Sequence, residues 1–351
     1  MMKMLHFLIS GAILAVSLLV GCVNSSDTPS IGQRFENRPA YSTTITVYMP
    51  VEYVEASVLR DFEKTFNVGV ILEEFESNEE MYEEVIKTSG YDILVPSDYM
   101  VDRLIQEGCL AKLNHGKLSN TDYIAQQYMG AEYDRNNDYH IPYMVGTLGI
   151  LYNRKALQIS SWQDMLRTKG VLLVDSERDI IGLALKMLGF SMNSVDDGEL
   201  EAARQALRNA RSNIGGFYET AYIVDMITAQ EAFVGVVYSG DGKPAVDLNP
   251  NLAYIIPEEG SNKWIDAFVI PANSSNKDLA HEFINFMCKP NIAIRNMSSI
   301  GYTSPVQDAW NEFAGNKIMF PGNEDLARCE AFIFSPQIVE KQNRVWNDIK
   351  N

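Results

Sequence analysis

Thr44-Ile45-Thr46-Val47-Tyr48-Met49 and Tyr91-Asp92-Ile93-Leu94-Val95-Pro96 bracket the stretch that decides the fold. Both runs are short and apolar, as strands buried in a sheet are. Between them the period changes. Residues 55–66 read as an amphipathic helix, and 70–72 begin a second strand. Residues 78–89 read as a helix with Met81, Tyr82, Val85 and Ile86 on one face. Beyond Pro96, residues 98–107 are helical again. This βαβα rhythm predicts an α/β fold with a largely parallel sheet and helices on both faces. In such sheets ligands sit beyond the carboxyl ends of the strands, so 49–53 and 97–99 are candidate site segments.

The rhythm restarts after residue 145. Strands are expected at 171–174, 234–237, 253–256 and 264–270. Helices are expected at 179–188, 199–210, 278–288, 290–297 and 337–349. Polar and aromatic residues again follow the strands, at 175–179 and 238–241, with Trp264 and Asp266 beside them. Two α/β lobes that each carry such residues at strand ends imply a cleft between them, with hinge closure.

The N-terminus is of another kind. After Lys3 an apolar run from Phe7 to Val20 is too short to span a membrane and has the length of a signal-peptide core. It ends at Gly21-Cys22, which looks like a lipobox and implies cleavage before Cys22 and a diacylglyceryl group on its sulfur. An ordinary secretory signal with a chance cysteine is the alternative. Residues 22–43 then form a Ser-, Asn- and Pro-containing tether with a reach of roughly 25 Å. The chain is thus expected to be exported and held by lipid at the extracytoplasmic or periplasmic face of a membrane.

Composition excludes several classes. The net charge of −17 opposes nucleic acid and anionic lipid as partners. Cys109, Cys288 and Cys329 have no CxxC spacing, so they read as buried thiols and not as a zinc site or disulfide framework. Gly240-Asp241-Gly242-Lys243-Pro244 fails as a phosphate loop, because Pro follows the lysine and Val237 stands where glycine is needed. Asp134-Arg135-Asn136-Asn137-Asp138 fails as a calcium loop, because Tyr139 and Val145 occupy its glycine and glutamate positions. It reads as a turn before a strand at Ile141. No nucleophile or metal motif appears; this does not exclude an enzyme, but it removes the simplest routes to one, and no metal or cofactor is expected.

What remains is a set of acids beside aromatics at expected strand ends: Glu52 with Tyr53, Asp179, Asp241 with Tyr238, and Asp266 with Trp264. Tyr99 and Tyr302 follow nearby turns. For any one of these acids taken alone, a helix cap or a surface charge is the favoured reading; Asp179 could simply start its helix. As a group they suit an aliphatic ammonium. Each cation leaving water needs acceptors, and the methylenes between amines gain from ring faces.

Several segments resemble the spermidine/putrescine-binding proteins of ABC transporters: Tyr48-Met49-Pro50-Val51-Glu52-Tyr53-Val54, Glu76-Ser77-Asn78-Glu79-Glu80-Met81-Tyr82, and Asp92-Ile93-Leu94-Val95-Pro96-Ser97-Asp98-Tyr99. So do Asn136-Asn137-Asp138-Tyr139-His140-Ile141-Pro142-Tyr143, Trp264-Ile265-Asp266-Ala267-Phe268-Val269-Ile270-Pro271-Ala272-Asn273 and Ile300-Gly301-Tyr302-Thr303-Ser304-Pro305. The resemblance implies a two-lobed type II periplasmic binding fold. It places one lobe at 44–145 plus 267–305 and the other at 146–266 plus 306–351.

It also implies a monomeric receptor that delivers a polyamine to a membrane permease. Carried over, it gives Glu52 a terminal amine, with Tyr53, Ser97 and Tyr99 beside it. Asp179, Asp241, Trp264, Asp266 and Tyr302 fall on matching positions, and Tyr238 stands where the family has a tryptophan wall. Pro50 and Val51 replace an aromatic-hydroxyl pair, Ser176 replaces an Asp of spermidine-preferring relatives, and Phe332 stands where a glutamine closes one end. Two other readings stay open: the same fold binding another cationic solute or an amino acid, and a surface lipoprotein with an interaction role.

Overall fold

The computed structural model describes residues 41–350. The segments expected to be a signal peptide (1–21), a lipidation site (Cys22) and, up to residue 40, the tether lie outside the described residues.

Among the described residues nine strands are formed: β1 (Thr44–Pro50), β2 (Gly69–Phe75), β3 (Ile93–Leu94), β4 (His140–Asn153), β5 (Val171–Val174), β6 (Ile214–Tyr218), β7 (Val234–Tyr238), β8 (Leu252–Ile255) and β9 (Lys263–Val269). The opening rhythm holds. Ile45, Val47, Tyr48 and Met49 are all buried, so β1 has helices or side chains over both faces, and it runs parallel to β2 and β3. The helix Ala56–Phe66 begins where the Glu55 carboxylate accepts the Ser57 and Val58 amides. It stops at Asn67 in the left-handed conformation, φ 54°. Its Phe62 packs edge-on against Phe283 at 5.1 Å and Phe286 at 5.5 Å.

The strand order is β2-β1-β3-β9-β4-β7-β5-β6, with β8 on β4. β4 is the element that the sequence did not reveal at its full length. Its first half pairs antiparallel with β9, from His140 opposite Val269 to Thr147 opposite Lys263. Its second half pairs antiparallel with β7 and β8. β5 is parallel to both β6 and β7. Each lobe therefore keeps a parallel set, while the two long antiparallel strands carry the chain from one lobe to the other and back. β6 was not expected; Gly215 and Gly216 interrupt its apolar pattern.

Separate cores support the two halves. Tyr48, Phe75, Met81, Leu94, Met100 and Leu104 cluster in the first. Leu148, Ile150, Trp162, Leu173, Ile181 and Val236 cluster in the second. The 3-10 turn Gln307–Phe313 packs with the helix Pro290–Ile300, and Trp310 lies 6.3 Å from Tyr128. Further on, the Lys263 amide donates to the Glu330 carbonyl, and the helix Pro336–Lys350 packs on Glu177–Met187 and Asp197–Ala210.

The acidic run at 134–138 is a turn. The Asp134 carboxylate accepts the Asp138, Tyr139 and His140 amides and lies 2.7 Å from His140 Nδ1. Among the described residues no acid, His and Cys cluster could hold a metal, and no helix is long and apolar enough to cross a membrane. Cys288 and Cys329 are buried free thiols, and Cys109 is a partly exposed one.

Candidate functional site

β9 supplies the centre of the site. Successive side chains of a strand alternate faces, so Trp264 and Asp266 share one face. Asp266 is buried, and its Oδ2 accepts the Tyr53 hydroxyl at 2.5 Å. Its Oδ1 is buried with no hydrogen-bond partner. The Trp264 ring lies 4.9 Å from Tyr302 and 6.3 Å from Tyr238, and Tyr53 lies 5.9 Å from Tyr302. Two glycines make room for this wall. A Cβ on Gly146 of β4 would stand 2.3 Å from Trp264, and one on Gly240 would stand 2.3 Å from Tyr302.

The second acid comes from the other lobe. Asp179 lies in the first turn of the helix Glu177–Met187, after the N-cap Ser176. Its Oδ2 accepts the Tyr238 and Ser176 hydroxyls, each at 2.7 Å, while Oδ1 is buried and unpartnered. Asp179 thus sits in a capped first turn and also aims a free oxygen. Asp98 repeats the pattern. Its Oδ1 accepts the Tyr99 amide at 2.8 Å, and its Oδ2 is buried without a partner.

These groups line one cavity of about 550 Å³. Its wall carries eight carboxylates against two guanidiniums, which suits a cation and opposes an anion. Burial raises the acids. It pushes Asp98 up to about 8 and Asp266 up to about 6, and it raises Asp179 as well. Tyr53, Tyr99, Tyr238 and Tyr302 are raised well above their ordinary value, first by burial and then by nearby charge, so they remain neutral hydroxyl donors.

Of the ten residues expected from sequence, eight line the cavity: Tyr53, Ser97, Tyr99, Asp179, Tyr238, Trp264, Asp266 and Tyr302. Glu52 does not. It is exposed, at φ 58°, and its amide donates to Glu74 Oε1. The left-handed turn sends Tyr53 inward and Glu52 outward. Asp241 stands one layer back, inside the helix Ser239–Leu248, where its Oδ2 accepts the Thr220 hydroxyl at 2.6 Å and the Tyr302 hydroxyl at 3.2 Å. It fixes Tyr302 without lining the cavity.

Three of the lining residues that were missed bear on the chemistry. Asp98 lay inside a candidate segment, yet an acid at a helix start reads as an ordinary cap. Gln342, 2% exposed with Nε2 unpartnered, reaches the cavity from the C-terminal helix. A glutamine is thus present although position 332 is Phe, which also lines the wall. Arg178 lies with its guanidinium 3.8 Å over the Tyr99 ring; no spacing marked it.

A family model for bacterial extracellular solute-binding proteins matches residues 57–318. The chain belongs to that family. The spermidine/putrescine-binding periplasmic protein of Salmonella typhimurium is 32% identical over 299 residues, 82% of this chain and 86% of that one. The putrescine-binding periplasmic protein PotF of Escherichia coli is 26% identical over 99% of this chain and 98% of its own. In structure, the spermidine/putrescine ABC transporter substrate-binding protein PotD of Streptococcus pneumoniae superposes with a TM-score of 0.79 at 30% identity, covering 88% of this chain and 99% of that one. As a member of the family the chain is a solute receptor and not an enzyme, it has the type II periplasmic binding fold, and it works outside the cytoplasm.

Proposed function

We propose that this solute-binding protein is a receptor for a short aliphatic polyamine, putrescine or spermidine, and that it hands its cargo to an ABC permease. The observation that carries the reading is the set of free carboxylate oxygens on Asp98, Asp179 and Asp266, all buried in one aromatic-walled cavity. An unpaired buried carboxylate is costly, and an ammonium removes that cost. The names of the relatives point the same way. In the proposed site Asp266 with Asp98 holds one ammonium and Asp179 another. Trp264, Tyr238, Tyr302, Tyr53 and Tyr99 enclose the methylenes, Ser97 and Asp241 orient the wall, and Glu52 stands at the rim. An α-amino acid would set its own carboxylate against this acidic lining.

The expected affinity is micromolar or tighter, about −8 kcal/mol. Ligand at about 100 times Kd then adds about 2.7 kcal/mol of stability. Thermal unfolding of the full chain with putrescine, spermidine, sugars and amino acids tests this. A shift with a sugar or an anionic amino acid, and none with any polyamine, overturns the assignment. No stabilisation by any solute would instead favour a surface interaction role.

The proposal includes monomeric action and lobes at 44–145 with 267–305 and 146–266 with 306–351. The packing of Gln307–Phe313 against Pro290–Ile300 speaks for a first lobe that continues past residue 305. It also includes the lipid on Cys22. Metabolic labelling with a palmitate analogue should mark the wild type and leave Cys22→Ser unmarked; equal labelling refutes the anchor.

A further inference from the structure

Phe332 and Phe334 both line the cavity, and the short segment that carries them touches both halves of the molecule. Burial alternates along it: Phe332 is buried, Ile333 is exposed and Phe334 is half-buried. Its fastening to the second half is extensive. Glu330 pairs with Lys186, and its Oε2 accepts the Ser191 hydroxyl at 2.7 Å and the Met192 amide at 3.2 Å. Asn193 clamps the backbone twice. Its Nδ2 donates to the Ala331 carbonyl at 2.9 Å, and its Oδ1 accepts the Ile333 amide at 3.1 Å. Gly182 leaves a seat for Phe332, since a Cβ there would stand 3.2 Å from the Phe332 ring. These partners lie on or just after the helix Glu177–Met187, whose Ile181 and Leu183 belong to the second core.

The far end of the segment reaches the first half. The helix Asp98–Gln106 carries Met100 and Leu104 of the first core. On that helix Asp102 is buried. Its Oδ1 accepts the Gln106 side-chain amide at 2.9 Å, and its Oδ2 accepts the Phe334 backbone amide at 3.3 Å, 232 positions along the chain. Arg103 stands next to it, 3.5 Å over the Tyr82 ring and 3.0 Å from Glu107. Its guanidinium also lies 5.2 Å from the Phe334 ring, within the reach of a cation–ring attraction. The fastening is therefore unequal: several side chains of the second half hold residues 330–333, and Asp102 and Arg103 meet the segment at Phe334.

We propose that residues 330–334 are a strap across the cavity and that Asp102 is its catch, a positioning residue that holds the lobes together around bound ligand and sets the rate of release. When the lobes part, the strap stays with the second half, and the Asp102 and Arg103 contacts with Phe334 are the ones that break. Asp102 is not among the residues that line the cavity, so its effect on the ligand passes through Phe334. A contact made only in the closed arrangement favours that arrangement by its own free energy, and release must first overcome it. The inference rests on the reading of the chain as a two-lobed polyamine receptor and adds a control on how long the cargo stays.

Release of putrescine from the full chain, followed by the fluorescence of Trp264 in the cavity wall, tests it. Asp102→Ala should release ligand roughly tenfold faster, the loss expected for one hydrogen bond to a charged acceptor. Association should change by no more than about twofold. Asp102→Asn keeps the shape and a neutral acceptor, so its release rate should fall between those of Asp102→Ala and the wild type; it carries the test if Asp102→Ala does not fold. A merely structural role would lower thermal stability and leave release alone. Unchanged release, or affinity lost wholly through slower association, overturns the catch and leaves the polyamine reading standing. If no polyamine binds, that reading falls, and small-angle scattering of the empty protein decides the catch. A larger radius of gyration in Asp102→Ala than in the wild type supports it, and equal radii overturn it.

Discussion

Asp266→Asn is expected to weaken polyamine binding at least tenfold while leaving the empty protein as stable as before or more so. The two halves of this result share one cause. In the empty cavity Asp266 Oδ1 is buried and unpartnered, and desolvation pushes the carboxyl up to about 6. Near neutral pH the folded protein therefore holds a charge that it does not satisfy. An amide keeps the shape, still accepts the Tyr53 hydroxyl, and removes the charge. For the ligand the change runs the other way. A charge-assisted hydrogen bond contributes roughly 1.5–3 kcal/mol, and tenfold in affinity is about 1.4 kcal/mol. Calorimetry and thermal unfolding of the same variant check both signs. Glu83→Gln, on a side chain 71% exposed, is the control and should move neither. If Asp266→Asn and Glu83→Gln behave alike toward ligand, the ammonium does not sit at Asp266.

The second large effect is a loss of affinity as pH falls from about 8 to about 5. The terminal ammonium groups of a polyamine remain charged across this interval, so the change comes from the protein. An acid raised to about 6 in the empty site must release its proton before it can hold an ammonium. At about pH 5 this costs roughly tenfold for Asp266 alone. Asp98, at about 8, adds to the loss over the same range. Stability of the empty protein runs in the opposite direction. Unfolded carboxyls, near 3.9, are ionised throughout, whereas the folded ones hold protons below about 8 and about 6. The native state then binds more protons, so its stability falls as pH rises through those values. Acidification should stabilise the empty protein and weaken the complex. Titrations in buffers of different ionisation enthalpy should also show proton release on binding. An affinity that stays flat from about pH 8 to about pH 5 would show that these acids do not meet the ligand.

Local chemistry explains how much of this was legible. Strand-end placement is a property of short segments, and it led directly to Ser97, Tyr99 and Tyr238; Trp264 and Asp266, expected at a strand end, lie within β9 instead. Trp264 and Asp266 share a face by the pleat alone. The acid and aromatic composition of those segments then indicated a cation without any contact being known. Glu52 shows where this reasoning ends. It adjoins Tyr53, and no pattern states which of two neighbours a tight turn sends inward. The backbone chose, at φ 58°, and it placed Glu52 in solvent.

The sequence by itself determined the α/β rhythm and the absence of catalytic and metal motifs, and it pointed to a group of acids with ring partners. Those are set by period, composition and spacing, which act over a few residues. Tertiary structure decided which acids are charged and unsatisfied. Asp98 and Asp266 are 168 positions apart by number, and the burial that raises both exists only once β9 lies beside β3 and the second lobe covers them. It also decided that Gln342 and Arg178 enter the cavity, because a helix from the chain's end and a first turn from its middle converge there. Desolvation, orphaned oxygens and the nearness of like charges belong to a closed volume, and no local stretch of chain encloses one.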